Sequence, residues 1–280
     1  MRTALHPRAA GAFLVGLGAL LPSPAPAQTL LDPAGAPPAV IKIYRAWPKP
    51  GHEGLTTKAG AGFGTVNDRF RTTDWWIGGI SMSGRGELTW LEGFPTHAAI
   101  GQQLGNAMAN PAQMAAGDSV WQDVGTHLES ADVLWAFHRP DLGYRPTWFV
   151  PSTRMFQVIT FRIKPGMEAD GEAVFKTFAQ AYADAGVAVP WVTYQVSNGM
   201  PGPAYLMIVP MASLEAIDQD LAGMGTVMSK VPDMGALMAQ WARSGNSVSA
   251  NVYAVVPSLS RVPPGFARAG GGWWTGSGER

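Results

Sequence analysis

The chain has 280 residues, 46% of them apolar and only 14% charged, with a formal charge of zero and no cysteine. That composition holds enough apolar material for one large or two ordinary domains. It excludes nucleic-acid binding through a basic face, and with it disulfides, thiolate metal sites and a cysteine nucleophile.

The first eight residues carry Arg2 and Arg8, and the apolar run from Ala9 to Leu21 is too short to span a bilayer. Pro22-Ser23-Pro24-Ala25-Pro26-Ala27 then supplies helix breakers and an Ala-x-Ala site before Gln28. The pattern predicts a signal peptide over 1–27 and a periplasmic or secreted bacterial protein, with an uncleaved anchor of the same export direction as the alternative. Residues 28–37 read as a linker.

An internal repeat organises the rest. Lys49-Pro50-Gly51-His52-Glu53 recurs as Lys164-Pro165-Gly166-Met167-Glu168, and the same offset of 115 residues carries Phe63 onto Phe178 and Trp76 onto Trp191. Two residues inserted near Gly199 raise the offset to 117, which carries Thr96 onto Ser213, Ile100 onto Ile217, Leu104 onto Leu221 and Pro140 onto Pro257.

In chain order, Val40 to Arg45 and Phe156 to Phe161 are β-branched and aromatic runs ended by a Pro-Gly turn, which predicts first strands. Leu55, Ala59, Phe63, Val66 and Phe70 recur at helical spacing, as do Val174, Phe178, Ala181, Tyr182 and Ala185. Trp76 to Met82 and Glu87 to Leu91 read as a hairpin, matched by Trp191 to Val196 and Tyr205 to Val209. Thr96 and Ser213 are expected N-caps of second helices whose buried faces hold Ile100 and Leu104, or Ile217 and Leu221. A further helical piece and a last strand follow in each copy, Val133 to His138 and Val248 to Val255. Strand, helix, hairpin, helix, strand is the split βαβ order. The predicted class is α+β: two tandem ferredoxin-like βαββαβ units, 38–146 and 154–262, joined by a linker at 147–153 and followed by a flexible Gly-rich tail at 263–280. A sheet with helices on one face needs a partner for the other, so the two sheets are expected to pack into an intrachain pseudo-dimeric α/β barrel.

With its Lys-Pro-Gly-x-Glu turn after the first strand, the sequence resembles the dimeric α/β-barrel superfamily, in particular its NIPSNAP-type and monooxygenase-type members. The resemblance covers about residues 38 to 260. It implies a barrel with ligand pockets, in a superfamily that hosts cofactor-free oxygenases, isomerases and haem proteins as well as proteins of unknown role.

Alternation places Lys42 and Tyr44 on one face of the first strand, aligned with Gln157 and Ile159, and Asp132, Leu134, Ala136 and His138 on one face of the last, aligned with Ser249, Asn251, Tyr253 and Val255. The polar parity is expected to point into the barrel. The candidate site is therefore Tyr44, Asp132 and His138 as catalytic groups, with Lys42, Trp90, Gln157, Asn251 and Tyr253 binding a small molecule. The competing account is that these groups pair across the pseudo-dimer seam or sit in water, and that the tryptophans are core.

Gly60-Ala61-Gly62-Phe63-Gly64 lacks the third glycine and the parallel context of a dinucleotide loop, and reads as close helix–sheet packing. Met224, Met228, Met234 and Met238 read as core rather than as a copper site, since no His follows His138. No cofactor or metal site is expected. Haem is the rival reading, although the haem proteins of the superfamily usually ligate from the second unit, whereas His52, His97, His127 and His138 all lie in the first. The function expected is that of a small-molecule-binding protein or a cofactor-independent oxygenase or isomerase with its site in the barrel. A non-catalytic structural or interaction protein is the alternative, and a homo-oligomer is compatible with either.

Overall fold

The computed structural model describes residues 31–275. The expected signal peptide and the last five residues of the tail lie outside the described residues.

The first unit comprises β1 (Val40–Pro48), α1 (Glu53–Gly60), α2 (Gly62–Arg69), β2 (Ile77–Ser81), β3 (Leu88–Phe94), α3 (His97–Met108), α4 (Pro111–Thr126) and β4 (Leu128–His138). The second comprises β5 (Met155–Ile163), α5 (Glu168–Ala185), β6 (Val192–Asn198), β7 (Ala204–Met211), α6 (Glu215–Lys230), α7 (Met234–Ser244) and β8 (Gly245–Val255). The eight strands close into one antiparallel barrel in the order β1-β3-β2-β8-β5-β7-β6-β4. Each unit contributes four adjacent strands, and the seams are β2 against β8 and β4 against β6. This is the dimeric α/β-barrel architecture contained within one chain.

The repeat is visible in register as well as in sequence. Lys42 lies opposite Glu92 and Trp135, and the aligned Gln157 lies opposite Val209 and Val252. The Pro-Gly turns hold Gly51 and Gly166 at φ of 79° and 83°, a conformation that costs glycine little. The Trp76 indole donates to the Leu259 carbonyl at 2.7 Å, and the Trp191 indole donates to the Leu142 carbonyl at 3.2 Å. Each tryptophan thus ties its own unit to the segment that follows the last strand of the other unit, at positions that correspond through the offsets.

The helix layers differ between the copies. One continuous helix, α5, covers the second sheet, whereas its counterpart in the first unit is broken at Ala61 into α1 and α2. Thr96 caps α3 by accepting from the Ala99 amide at 3.2 Å, as expected. Ser213 does not cap α6, which starts two residues later with Leu214 in the cap position and no side-chain cap bond. Leu104 and Leu221, expected on buried faces, are exposed, while Ile100 is buried.

The barrel interior is apolar. Ile41 and Ile43 of β1, Leu134 and Ala136 of β4, Phe156 of β5, Tyr194 of β6 and Tyr253 of β8 belong to a single core cluster, in which Phe156 and Tyr253 stack at 4.9 Å. Trp148, Phe149, Phe266 and Trp274, from segments outside the strands, join the same cluster. The tail is therefore folded through residue 275 rather than flexible: α8 (Pro264–Ala269) buries Phe266, and the Trp274 indole donates to the Pro151 carbonyl at 2.8 Å. Of the four methionines read as core, Met224 and Met234 pack in the helix layer of the second unit, while Met228 and Met238 are largely exposed.

Candidate functional site

The inward parity of β1 is the apolar one. Antiparallel partners share a face, so Lys42 opposite Trp135 and Tyr44 opposite Val133 both point toward the helices, while Ile43 opposite Leu134 points inward. The expectation that Lys42 and Tyr44 enter the barrel is corrected accordingly. Gln157 is corrected in the same way, since it pairs with Val209 and Val252, which pack in the helix layer of the second unit. Asp132, His138, Asn251 and Tyr253 do have the inward parity, but they do not converge. Asp132 is exposed in the middle of β4, and His138, the last residue of that strand, is six residues away, about 20 Å along it. His138 packs its ring at 5.4 Å from that of Tyr194, with Nε2 buried and unpartnered, and burial lowers its pKa. Asn251 and Tyr253 border a hollow of about 100 Å³, where Arg45 forks onto the buried Glu87 carboxylate at 2.8 and 2.7 Å. The catalytic trio expected from sequence is thus spread over both faces of the sheet, with its two inward members far apart along one strand.

The large cavity lies on the other side of the sheet. A half-open cavity of about 400 Å³ lies between the outer face of β1, β3 and β4 and helices α2, α3 and α4. Its walls are aromatic: Tyr44, Phe63, Trp76, Trp90, Trp121 and Trp135. Trp121 reaches from α4 to within 4.8 Å of the Phe63 ring and 5.9 Å of the Tyr44 ring. Exposed Leu104, Trp121 and Val133 form the solvent rim. At the break in the covering helix Gly60 lies against the Trp90 ring, where a Cβ would sit 3.0 Å from it. The glycine-rich stretch therefore serves packing in part, with Gly60 against the sheet and Gly62 against Val120 of α4.

Set into these apolar walls is a polar cluster. Lys42 Nζ lies 2.7 Å from Glu92 Oε2 and donates to Gln103 Oε1 at 2.7 Å, and it stands over the rings of Tyr44 and Phe94 at 5.1 and 5.3 Å. The ion pair is close but off-axis, so Oε2 is held by charge and accepts no aligned hydrogen bond. Burial raises the pKa of the Glu92 carboxyl and outweighs the attraction of Lys42; the carboxylate of Asp74 pushes in the same direction. Burial pulls the Lys42 ammonium down, but Glu92 and Tyr44 together lift it above its ordinary value, so it stays charged. Burial also raises the Tyr44 phenol, which stays protonated at neutral pH. The Trp90 indole N–H is buried and has no protein partner.

Lys42, Tyr44 and Trp90 of the expected site thus share one cavity, while Glu92, Gln103 and Asp74 were missed. One signal for Glu92 was present: it is two residues from Trp90 on a predicted strand, hence on the same face. Its pairing with Lys42 depends on register, which the sequence does not display.

Among the described residues no group of three or more His, Asp or Glu side chains could hold a metal ion. None of the four described histidines lines the cavity, so the residues present do not fit a haem held there through an imidazole.

No protein-family model matches the sequence, and no curated protein matches it. Among solved structures, a chlorite dismutase from Candidatus Nitrospira defluvii in complex with imidazole aligns over 80% of this chain and 93% of its own at 12% identity and a TM-score of 0.49. An anthrone oxidase-like protein aligns over 78% and 91% at 11% identity and a TM-score of 0.45. A proposed monooxygenase from Lactobacillus acidophilus aligns over 77% and 93% at 14% identity and a TM-score of 0.46. Those likenesses concern the course of the backbone and carry nothing about ligand or reaction. No helix among the described residues is long and apolar enough to cross a membrane.

Proposed function

We propose that the first unit binds a small, flat, largely apolar molecule bearing one polar group, in the cavity between its sheet and its helices. The observation that carries this reading is the Lys42–Glu92 pair at the cavity wall. A buried ion pair is a costly way to hold a fold together, and apolar residues of similar volume serve as well or better. The second unit makes the same strand pairing with Gln157 and Val209, so the pair is not needed to build the unit. Aromatic walls with a few convergent polar groups are the usual make-up of a small-molecule site, and about 400 Å³ lies at the modest end of such sites.

The N-terminal pattern supports export, so the ligand would be met outside the cytoplasm. A second reading, a non-catalytic structural or interaction protein, has one observation in its favour: the barrel interior is filled by core side chains, with only a small hollow at one end.

Titrating the mature protein with planar bicyclic probes such as 2-naphthol, and following tryptophan fluorescence, separates the two. Saturable quenching that is lost in the double variant Lys42→Gln/Glu92→Val, with the fold intact by circular dichroism, is the expected result. Absence of saturable quenching by any such probe, or equal quenching in the double variant, would favour the second reading.

A further inference from the structure

We infer that this cavity carries an isomerase-type activity, moving a proton at a carbon next to a carbonyl of a flat, enolisable ligand, with Glu92 as the base. The inference rests on the binding reading above and adds a reaction to it.

A carboxylate removes a proton from carbon only when water is kept away from it and donors wait where negative charge develops. Glu92 meets the first condition, being 9% exposed among aromatic walls. The shift of its carboxyl above the ordinary range makes the ionised form a stronger base than a surface carboxylate. The second condition is met by the Lys42 ammonium. It lies at the cavity wall with Glu92, Gln103 and Tyr44 around it and stays charged there, so it sets a fixed positive charge beside the place where a ligand oxygen gains negative charge.

The step balances without any oxidant or cofactor. In a β,γ-unsaturated carbonyl compound, Glu92 takes the α-proton, the C–H electron pair forms the double bond between the α-carbon and the carbonyl carbon of a dienolate, and the carbonyl π pair moves onto oxygen, beside the Lys42 ammonium. Return of the same proton from Glu92 to the γ-carbon restores the carbonyl, leaves the double bond conjugated at α,β and regenerates the carboxylate. Tyr44, neutral at working pH, is wall rather than base. The aligned positions of the second unit, Gln157, Met207 and Val209, hold neither base nor cationic donor, so the activity belongs to one unit only.

The test uses 5-nitrobenzisoxazole, a flat bicyclic carbon acid. Removal of its C3 proton drives N–O cleavage to a yellow cyanonitrophenolate, so turnover reads out a buried base directly. The expected result is saturable turnover by the mature chain, lowered at least about 100-fold in Glu92→Gln and partly restored in Glu92→Asp. The rate should rise with pH to a plateau whose midpoint lies above the ordinary carboxylate range. The charged and titratable groups that face Glu92 in that titration are Lys42 and Tyr44 from β1, Asp74 from the segment before β2, and Asp118 from α4. Should Glu92→Gln fail to fold, the double variant Lys42→Gln/Glu92→Val takes its place. Saturable quenching by the probe with turnover no faster than buffer, or turnover unchanged in the Glu92 variants, or a flat pH profile, would overturn the inference while leaving the binding reading in place. Neither quenching nor turnover would overturn both.

Discussion

The two halves of this chain reach one backbone plan with opposite uses of the space between sheet and helices. In the second unit that space is packed: Phe175, Tyr182, Met207 and Val209 stand where the first unit has Gly60, Asn67, Trp90 and Glu92, and α5 runs unbroken over them. In the first unit the covering helix breaks at Ala61 and carries smaller residues at two of these positions, and the sheet presents an ion pair to the opening. The second half is therefore an internal control. Whatever both halves share serves the fold, and whatever only the first half has is free to serve something else.

The sharpest way to break that contrast is to disturb the ion pair one member at a time. Lys42→Met leaves the Glu92 carboxylate buried without its counter-charge and should cost about 3–5 kcal/mol at neutral pH. The double variant Lys42→Gln/Glu92→Val, which writes the second unit's residues into the first, should return stability to the wild-type level or exceed it, as buried pairs replaced by apolar groups commonly do. Urea denaturation of the three proteins decides it, and a double variant as unstable as the single would make the pair structural. The pH dependence has a definite sign. The folded-state pKa of Glu92 is raised above its ordinary 4.5, so the fold favours the protonated form. That contribution is complete below pH 4.5 and is lost as pH rises through the folded value. The penalty of Lys42→Met should accordingly shrink in acid, whereas the double variant should show no such trend.

A shared feature should behave in the opposite way, with a loss of stability in both halves. Trp76 and Trp191 each donate an indole N–H to a buried carbonyl at corresponding positions, Leu259 and Leu142. Trp76→Phe should cost about 1–2 kcal/mol, most of it from the Leu259 carbonyl left without its donor. Trp191→Phe should cost less, because the Leu142 carbonyl still accepts from the Thr193 hydroxyl at 2.9 Å. Thermal unfolding of the two variants checks this, and a larger cost at Trp191 would mean that the indole bond is not what the two seams share.

How much of this could be read from the sequence follows from what each feature depends on. The repeat, the Pro-Gly turns, the strand–helix order and the cap at Thr96 are local and were legible. The face that Lys42 and Tyr44 present was not, because alternation fixes which residues go together without saying which set points inward. Polar residues were assigned to the barrel on the assumption that its helix side is uniformly apolar, and the first unit violates that assumption at one place, its cavity. Asp132 and His138 were given the correct parity, but a shared face is not a shared place: six residues of extended strand hold them about 20 Å apart. Trp274 was read as part of a loose tail, since nothing local to a Gly-rich segment shows that it will cover the end of a distant barrel.

The smallest expected effects come from two glycines of the broken helix. Gly64, in α2, has nothing within 4 Å of where a Cβ would stand, and the second unit has Ala179 at the aligned position. Gly64→Ala should stabilise the protein by about 0.5–1 kcal/mol, through the freedom it removes from the unfolded chain and the better helix propensity of alanine. Gly60, four residues earlier, is closed in: an added Cβ would meet the Trp90 ring at 3.0 Å and the Leu259 side chain at 3.1 Å. Gly60→Ala should therefore fail to stabilise and should shift Trp90, which differential scanning calorimetry and tryptophan fluorescence will register together. If both substitutions stabilise and neither alters the fluorescence, Gly60 is not what brings the helix close to Trp90, and the break at Ala61 is a matter of helix propensity alone. If they act with opposite sign, the glycine at the end of α1 is tied to the cavity wall and the one inside α2 is not. The contrast between the two halves then narrows to the few positions where helix meets sheet.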